Sequence, residues 1–131
     1  MSGPHVLLQF VLVAIGGALG ASLRFFVSSW LIKYSHSGFP YGTFTVNVLG
    51  SFLFGIFFVV IFSMTELREH MRLIVLVGFM GAFTTFSTFS FETIRLLEEG
   101  QFLMSLLNVT SNVIVCLLAY WGGNLLAKQF L

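Results

Sequence analysis

Apolar residues along the chain fall into four long runs separated by short polar stretches. A helix needs roughly 20 mostly apolar residues to cross a bilayer. Four stretches meet that length, at about 6–31, 43–64, 72–97 and 102–128. Between the first two lie Lys33, a Ser/His/Gly stretch and Pro40, which read as a loop. Thr65, Glu66, Leu67, Arg68, Glu69 and His70 form a short charged turn. Glu98, Glu99 and Gly100 end the third run, and Gly100 suits a helix C-terminus. The pattern predicts an all-α membrane protein, one four-helix domain over 1–131.

The third run carries the least ordinary segment. Residues 81–90 hold a glycine, Gly81, and five hydroxyl side chains, Thr84, Thr85, Ser87, Thr88 and Ser90. Backbone at bilayer depth has no water to bond to, so a helix break is tolerated there only inside protein or beside a cavity. The third helix is therefore predicted to be broken at mid-membrane, and the break to be the working part of the molecule.

Composition fixes the solvent. The chain is 57% hydrophobic and 8% charged, against about 25% charged in soluble domains. The N-terminal run lacks basic residues and continues past a signal-peptide core, so it is read as a span rather than a secretory signal. Cys116 stands alone and has no internal disulfide partner. No basic cluster points to nucleic acid. Four spans put both termini on one side, with Arg68, Arg72 and Lys128; Lys33, Arg95 and, nearer that end, Arg24 fall on the other. Orientation follows Lys/Arg bias, and here there is almost none. Either the chain inserts both ways and pairs antiparallel, or one or two charges decide.

Candidate chemistry lies along three helices. Thr43, Asn47 and Ser51 recur every four residues on the second run, and Asn108, Asn112, Cys116, Tyr120 and Asn124 on the fourth. The longer row rises about 24 Å at ~1.5 Å per residue, enough to line most of a core of about 30 Å. A single Asn would read as helix–helix glue; two facing rows favour a polar track. Arg24 either snorkels to the interface or makes an electropositive vestibule. Glu92, four residues after Thr88 on the same face, could bond hydroxyls, relay protons or hold a cation. Phe86 and Phe89 share a face if helical, and aromatic ring edges are positive. Ordinary packing explains most of the 17 phenylalanines, and close packing explains Gly16, Gly17, Gly20 and Ala21. No nucleophile–base pair or phosphate-binding glycine loop is present, so no enzyme is expected.

Four blocks together resemble the Fluc (CrcB) fluoride-channel family over essentially the whole chain. They are Gly16, Gly17, Gly20, Ala21 and Arg24; then Gly42, Thr43, Val46, Asn47, Gly50, Ser51 and Phe52; then the segment 81–89 with Glu92; and last the small and polar row of the fourth helix. The third block, with Thr84, Thr85, Phe86, Ser87, Thr88 and Phe89 below a membrane Asn, is the most specific.

The resemblance implies an antiparallel, dual-topology homodimer in a bacterial inner membrane, with two pores that export fluoride passively and lower its internal concentration. It implies that backbone carbonyls of Gly81 and Thr84 from both subunits hold a central structural sodium ion. Phe86 and Phe89 would line the pores, Asn47 would supply an amide donor, and Ser87, Thr88 and Glu92 would sit beside the path. Arg24 would charge the vestibule. On the fourth helix Asn108, Asn112 and Cys116 stand where some relatives have Tyr and Ser. Asn still donates hydrogen bonds there, whereas a thiol does so weakly. A small proton-coupled multidrug transporter, also four-helical, is the competing reading; such carriers have a carboxylate in the first helix, where this chain has only Arg24. A non-transporting membrane scaffold would explain the glycines and phenylalanines but not a broken polar helix.

Overall fold

The computed structural model describes residues 3–131, and helices are the regular elements among them. Helix α1 covers Gly3–Leu31 and runs into a 3₁₀ turn at Ile32–Tyr34. Helix α2 covers Tyr41–Ser63. The third run is composite: α3 at Arg68–Met71, a π-helical stretch at Arg72–Met80, α4 at Gly81–Phe83, and α5 at Ser87–Glu98. Residues 84–86 between α4 and α5 are non-helical. Helix α6 covers Phe102–Lys128. Four candidate spans result, at His5–Tyr34, Tyr41–Ser63, Arg68–Glu98 and Phe102–Lys128. The all-helical architecture with four spans is the one the hydrophobic pattern predicts.

The turns follow their residues. At the end of α5, Gly100 adopts a φ of 75°, which only glycine takes without strain. Its N–H bonds the Leu97 carbonyl at 3.0 Å, and that of Gln101 bonds Leu96 at 2.8 Å, which is a Schellman closure. Charged pairs gather at the ends of the third span, Arg72 with Glu69 and Arg95 with Glu99, both at 2.7 Å.

Two glycine contacts set the packing. A Cβ at Gly16 would overlap the Ile74 carbonyl oxygen, and one at Gly20 would overlap that of Phe79. In return, a Cβ at Gly78 would come within 2.7 Å of the Val13 carbonyl oxygen. The α1 backbone thus lies directly against the π-helical stretch. A π-helix is wider than an α-helix and rare beyond a single turn, and here glycines on both sides make room for it. The same device joins α2 to α6, where a Cβ at Gly55 would overlap the Tyr120 carbonyl and one at Gly123 that of Phe52.

Between these contacts sits a small core of Val46, Met80 and Phe83, with Val27, Leu53, Phe54, Phe57 and Phe79 against it. Phe79 and Phe83 stack at 5.9 Å. The core therefore grips the last turns of the third span before it breaks. Outward faces carry exposed apolar residues such as Phe25, Phe26, Leu103, Leu117 and Trp121, as a lipid-facing surface would.

Substituting Gly20 with Ala should destabilise the detergent-solubilised protein by about 1–3 kcal/mol through overpacking. Gly122→Ala should leave the melting temperature unchanged, because nothing lies within 4 Å of the added carbon. Equal melting of the two variants would contradict the direct backbone contact.

Candidate functional site

The break in the third span is built from backbone groups that lose their helical partners. Thr84 turns extended, at φ −85° and ψ 159°, after its N–H has made a last bond to the Met80 carbonyl at 3.2 Å. The next amide, that of Thr85, would bond Gly81 in a continued helix. It bonds Asn47 Oδ1 instead, at 2.8 Å. Asn47 Nδ2 returns a bond to the Thr85 carbonyl at 3.1 Å. One side-chain amide thus pairs with both polar groups of one residue, as a neighbouring strand would. Arg24 Nε donates to the Ala82 carbonyl at 2.9 Å, another acceptor that the break releases. On the far side Thr85 Oγ1 accepts from the Thr88 N–H at 3.2 Å and bonds Thr88 Oγ1 at 3.1 Å, securing the start of α5. Leaving one such buried group unpaired costs about 1–3 kcal/mol.

Two cavities flank this clamp, and Thr85 lines both. The first, of about 460 Å³, is lined by Asn47, Ser51, Phe86, Phe89, Asn112 and Cys116 among others. The second, of about 280 Å³, holds Arg24, Thr43, Thr88 and Glu92. The Phe86 and Phe89 rings lie 5.3 Å apart at 51°. Phe89 is 8% exposed, whereas Phe86 is 78% exposed and faces outward. In the second cavity Glu92 Oε1 accepts from Thr43 Oγ1 at 2.8 Å. Its other oxygen, Oε2, is buried without a partner. Arg24 is half-buried in the same cavity, so its charge stands beside the break and not at the end of α1.

The remaining predicted residues divide. Ser87 is exposed and lines neither cavity; its hydroxyl is 3.4 Å from Thr85 Oγ1. Gly81 is exposed on the outer face, with ordinary room for a side chain. Thr84 lines the first cavity. The polar row of α6 splays among different neighbours. Asn112 accepts from Asn47 Nδ2 at 3.2 Å, and Cys116 and Tyr120 line the first cavity. Asn108 is 0% exposed and donates to Thr93 Oγ1 at 2.9 Å. It lies in the α5–α6 contact, outside both cavities.

Thr93 is the residue that sequence reasoning missed. It follows Phe89 by four residues, which places it on that face of α5. Nothing local ties it to an Asn fifteen residues on. Among the described residues no cluster of three His, Cys, Asp or Glu side chains could hold a metal.

The family described as CrcB-like protein, Camphor Resistance (CrcB), matches residues 11–124. A protein named "Fluoride-specific ion channel FluC" from Geobacter metallireducens is 43% identical over 94% of this chain and 99% of its own. Its namesake from Methylococcus capsulatus is 48% identical over 93% of this chain and 54% of its own. A third, from Geotalea daltonii, is 42% identical over 86% and 91%.

Replacing Asn47 with Leu should leave the Thr85 amide without its acceptor. Hydrogen exchange of the segment 83–89 should then quicken by about tenfold or more, from a lost pairing of about 1–3 kcal/mol. Unchanged exchange would show that the break holds itself.

Proposed function

The chain belongs to the CrcB-like family, and on that premise we propose that it is a fluoride-selective channel. It would let fluoride leave the cell passively and so lower the internal concentration. The observation that carries the reading is the pair of cavities that meet at the Thr85 clamp inside the third span. The name shared by its relatives gives the ion.

The chemistry suits a small anion. Fluoride holds water tightly, and charge without partners in an apolar medium is very costly. A pathway must replace that water with donors. Arg24 raises the positive potential of the second cavity, and the Thr88 hydroxyl stands beside it. The Thr43 and Thr85 hydroxyls donate to Glu92 and Thr88, so an anion takes them by exchange. Across the clamp, Ser51 and the Phe86 and Phe89 rings border the first cavity. Asn47 uses its amide hydrogens on the Thr85 carbonyl and Asn112 Oδ1. An anion at Asn47 therefore takes over one of these hydrogens in exchange for its present partner.

The working unit is an antiparallel, dual-topology homodimer in the inner membrane, with two pores. The near-equal Lys/Arg counts on the two sides support it. So do the outward Phe86 and the open first cavity, which a second copy would cover. Gly81 and Thr84 of both copies would hold a sodium ion through backbone carbonyls. The fit is reasonable, because the Gly81 carbonyl loses its helical N–H to Asn47, and hard cations take oxygen ligands. Bound there, the ion would add positive potential and tie the two breaks together.

Purified protein in liposomes should release fluoride to an electrode, and a wild-type protein that releases none would overturn the reading. Asn47→Asp, which adds a negative charge, and Phe86→Ile, which removes a ring edge, should each slow release by about tenfold or more. A single cysteine added at the C-terminus should label from both sides of the cell membrane; one-sided labelling would reject dual topology.

A further inference from the structure

The side-chain bonds around the break form a circuit with one direction. It begins at the Thr85 N–H, which can only donate, and ends at the Phe89 carbonyl, which can only accept. Thr85 N–H donates to Asn47 Oδ1 at 2.8 Å. Asn47 Nδ2 donates to Asn112 Oδ1 at 3.2 Å. Asn112 Nδ2 donates to Asn108 Oδ1 at 2.9 Å. Asn108 Nδ2 donates to Thr93 Oγ1 at 2.9 Å. Thr93 Oγ1 donates to the Phe89 carbonyl at 2.7 Å. Five side-chain bonds thus link two backbone groups of the same span.

Each link dictates the next. A hydroxyl has one proton, and Thr93 spends it on Phe89. Toward Asn108, Thr93 is therefore an acceptor only. Asn108 must turn its NH₂ to Thr93 and its oxygen to Asn112. Asn112 must then turn its NH₂ to Asn108, where the backbone carbonyl of Asn108 also accepts at 2.9 Å. This leaves Asn112 facing Asn47 with its oxygen. A reversed Asn112 would set NH₂ against NH₂. Thr93 and Asn108 are 8% and 0% exposed and line neither cavity.

We propose that Thr93 and Asn108 are positioning residues. Acting through Asn112, they fix the orientation in which the Asn47 amide holds the break and meets the pathway. The proposal rests on the fluoride-channel reading. It also gives Asn108 and Asn112 a task other than donating to an ion: Asn112 borders the first cavity, but its amide hydrogens go to Asn108 and those of Asn108 to Thr93.

The test is a pair of substitutions at Thr93, read by fluoride release from liposomes. Thr93→Val keeps the shape and deletes the hydroxyl; Thr93→Ser keeps the hydroxyl and deletes a methyl. Positioning predicts that Ser stays within about twofold of wild type while Val falls by about tenfold or more. A packing role predicts the reverse order, because Ser leaves a hole and Val does not. Val at or above Ser, with an active wild type, would overturn the positioning proposal and leave the channel reading standing. A silent wild type would instead overturn the channel reading. If Thr93→Val does not fold, Asn108→Leu cuts the same circuit with similar volume, and normal release from it would overturn the proposal. Thr93→Ser also decides alone, since release below about a fifth of wild type contradicts a role carried by the hydroxyl.

Discussion

Everything near the candidate site depends on one constraint: a helix that stops part-way must find new partners for the backbone groups it releases. The helix stops after Phe83, Thr84 keeps a last bond to Met80, and the amide and carbonyl of Thr85 would be orphans. Asn47 answers both at once through Thr85. Arg24 answers the Ala82 carbonyl, and Thr85 Oγ1 answers the amide of Thr88. Three polar side chains are thereby committed to the backbone before any ion is considered. An unpaired group in lipid costs several kcal/mol. These residues supply the pairing that the break requires.

Their reach depends in turn on the glycines. Arg24 lies on α1, and its guanidinium meets the third span because Gly16, Gly20 and Gly78 bring the two backbones into contact. Asn47 lies on α2, which is held against α6 by Gly55 and Gly123 and so brings Asn112 alongside. Close packing is the usual work of small residues in membrane helices. Here the same packing sets the distances of the polar groups, so a structural residue such as Gly20 supports the site without touching it. The π-helical stretch belongs to this arrangement, since its carbonyls at Ile74 and Phe79 are the ones that meet α1.

The spans were legible in the sequence because lipid forces a long apolar run wherever a helix crosses. The break was legible because hydroxyls crowd into such a run at 84–90. The partners of the break were not. Asn47 lies 38 residues from Thr85 and Arg24 lies 58 from Ala82; helical spacing gives the face a residue occupies, not what meets it. The row on α6 shows the limit well. Steps of four residues read as one track, but each step overshoots a turn. The row drifts from Thr93 on α5, met by Asn108, to Asn47 on α2, met by Asn112. No residue pattern announced the π-helix at 72–80 either.

In the proposed channel, holding the break and binding an anion would draw on the same hydrogens. Asn47 has no spare amide hydrogen while it bonds both Thr85 and Asn112. In the proposed channel an ion at this position therefore exchanges with a partner and does not simply add to the site. Giving up the bond to Thr85 would release a main-chain carbonyl of the break. Giving up the bond to Asn112 leaves a side-chain oxygen that borders a cavity of about 460 Å³, where water has room to replace the lost hydrogen. A bond exchanged for another costs little net, whereas one lost without replacement costs about 1–3 kcal/mol. Thr85 borders both cavities, so access to water does not separate the two sides. Asn47 holds Thr85 by two bonds and Asn112 by one, which makes the Asn112 side the yielding one. A directional chain behind Asn112 makes that asymmetry durable, because it keeps Asn112 from turning its own donors toward Asn47 and blocking the return of the original bond.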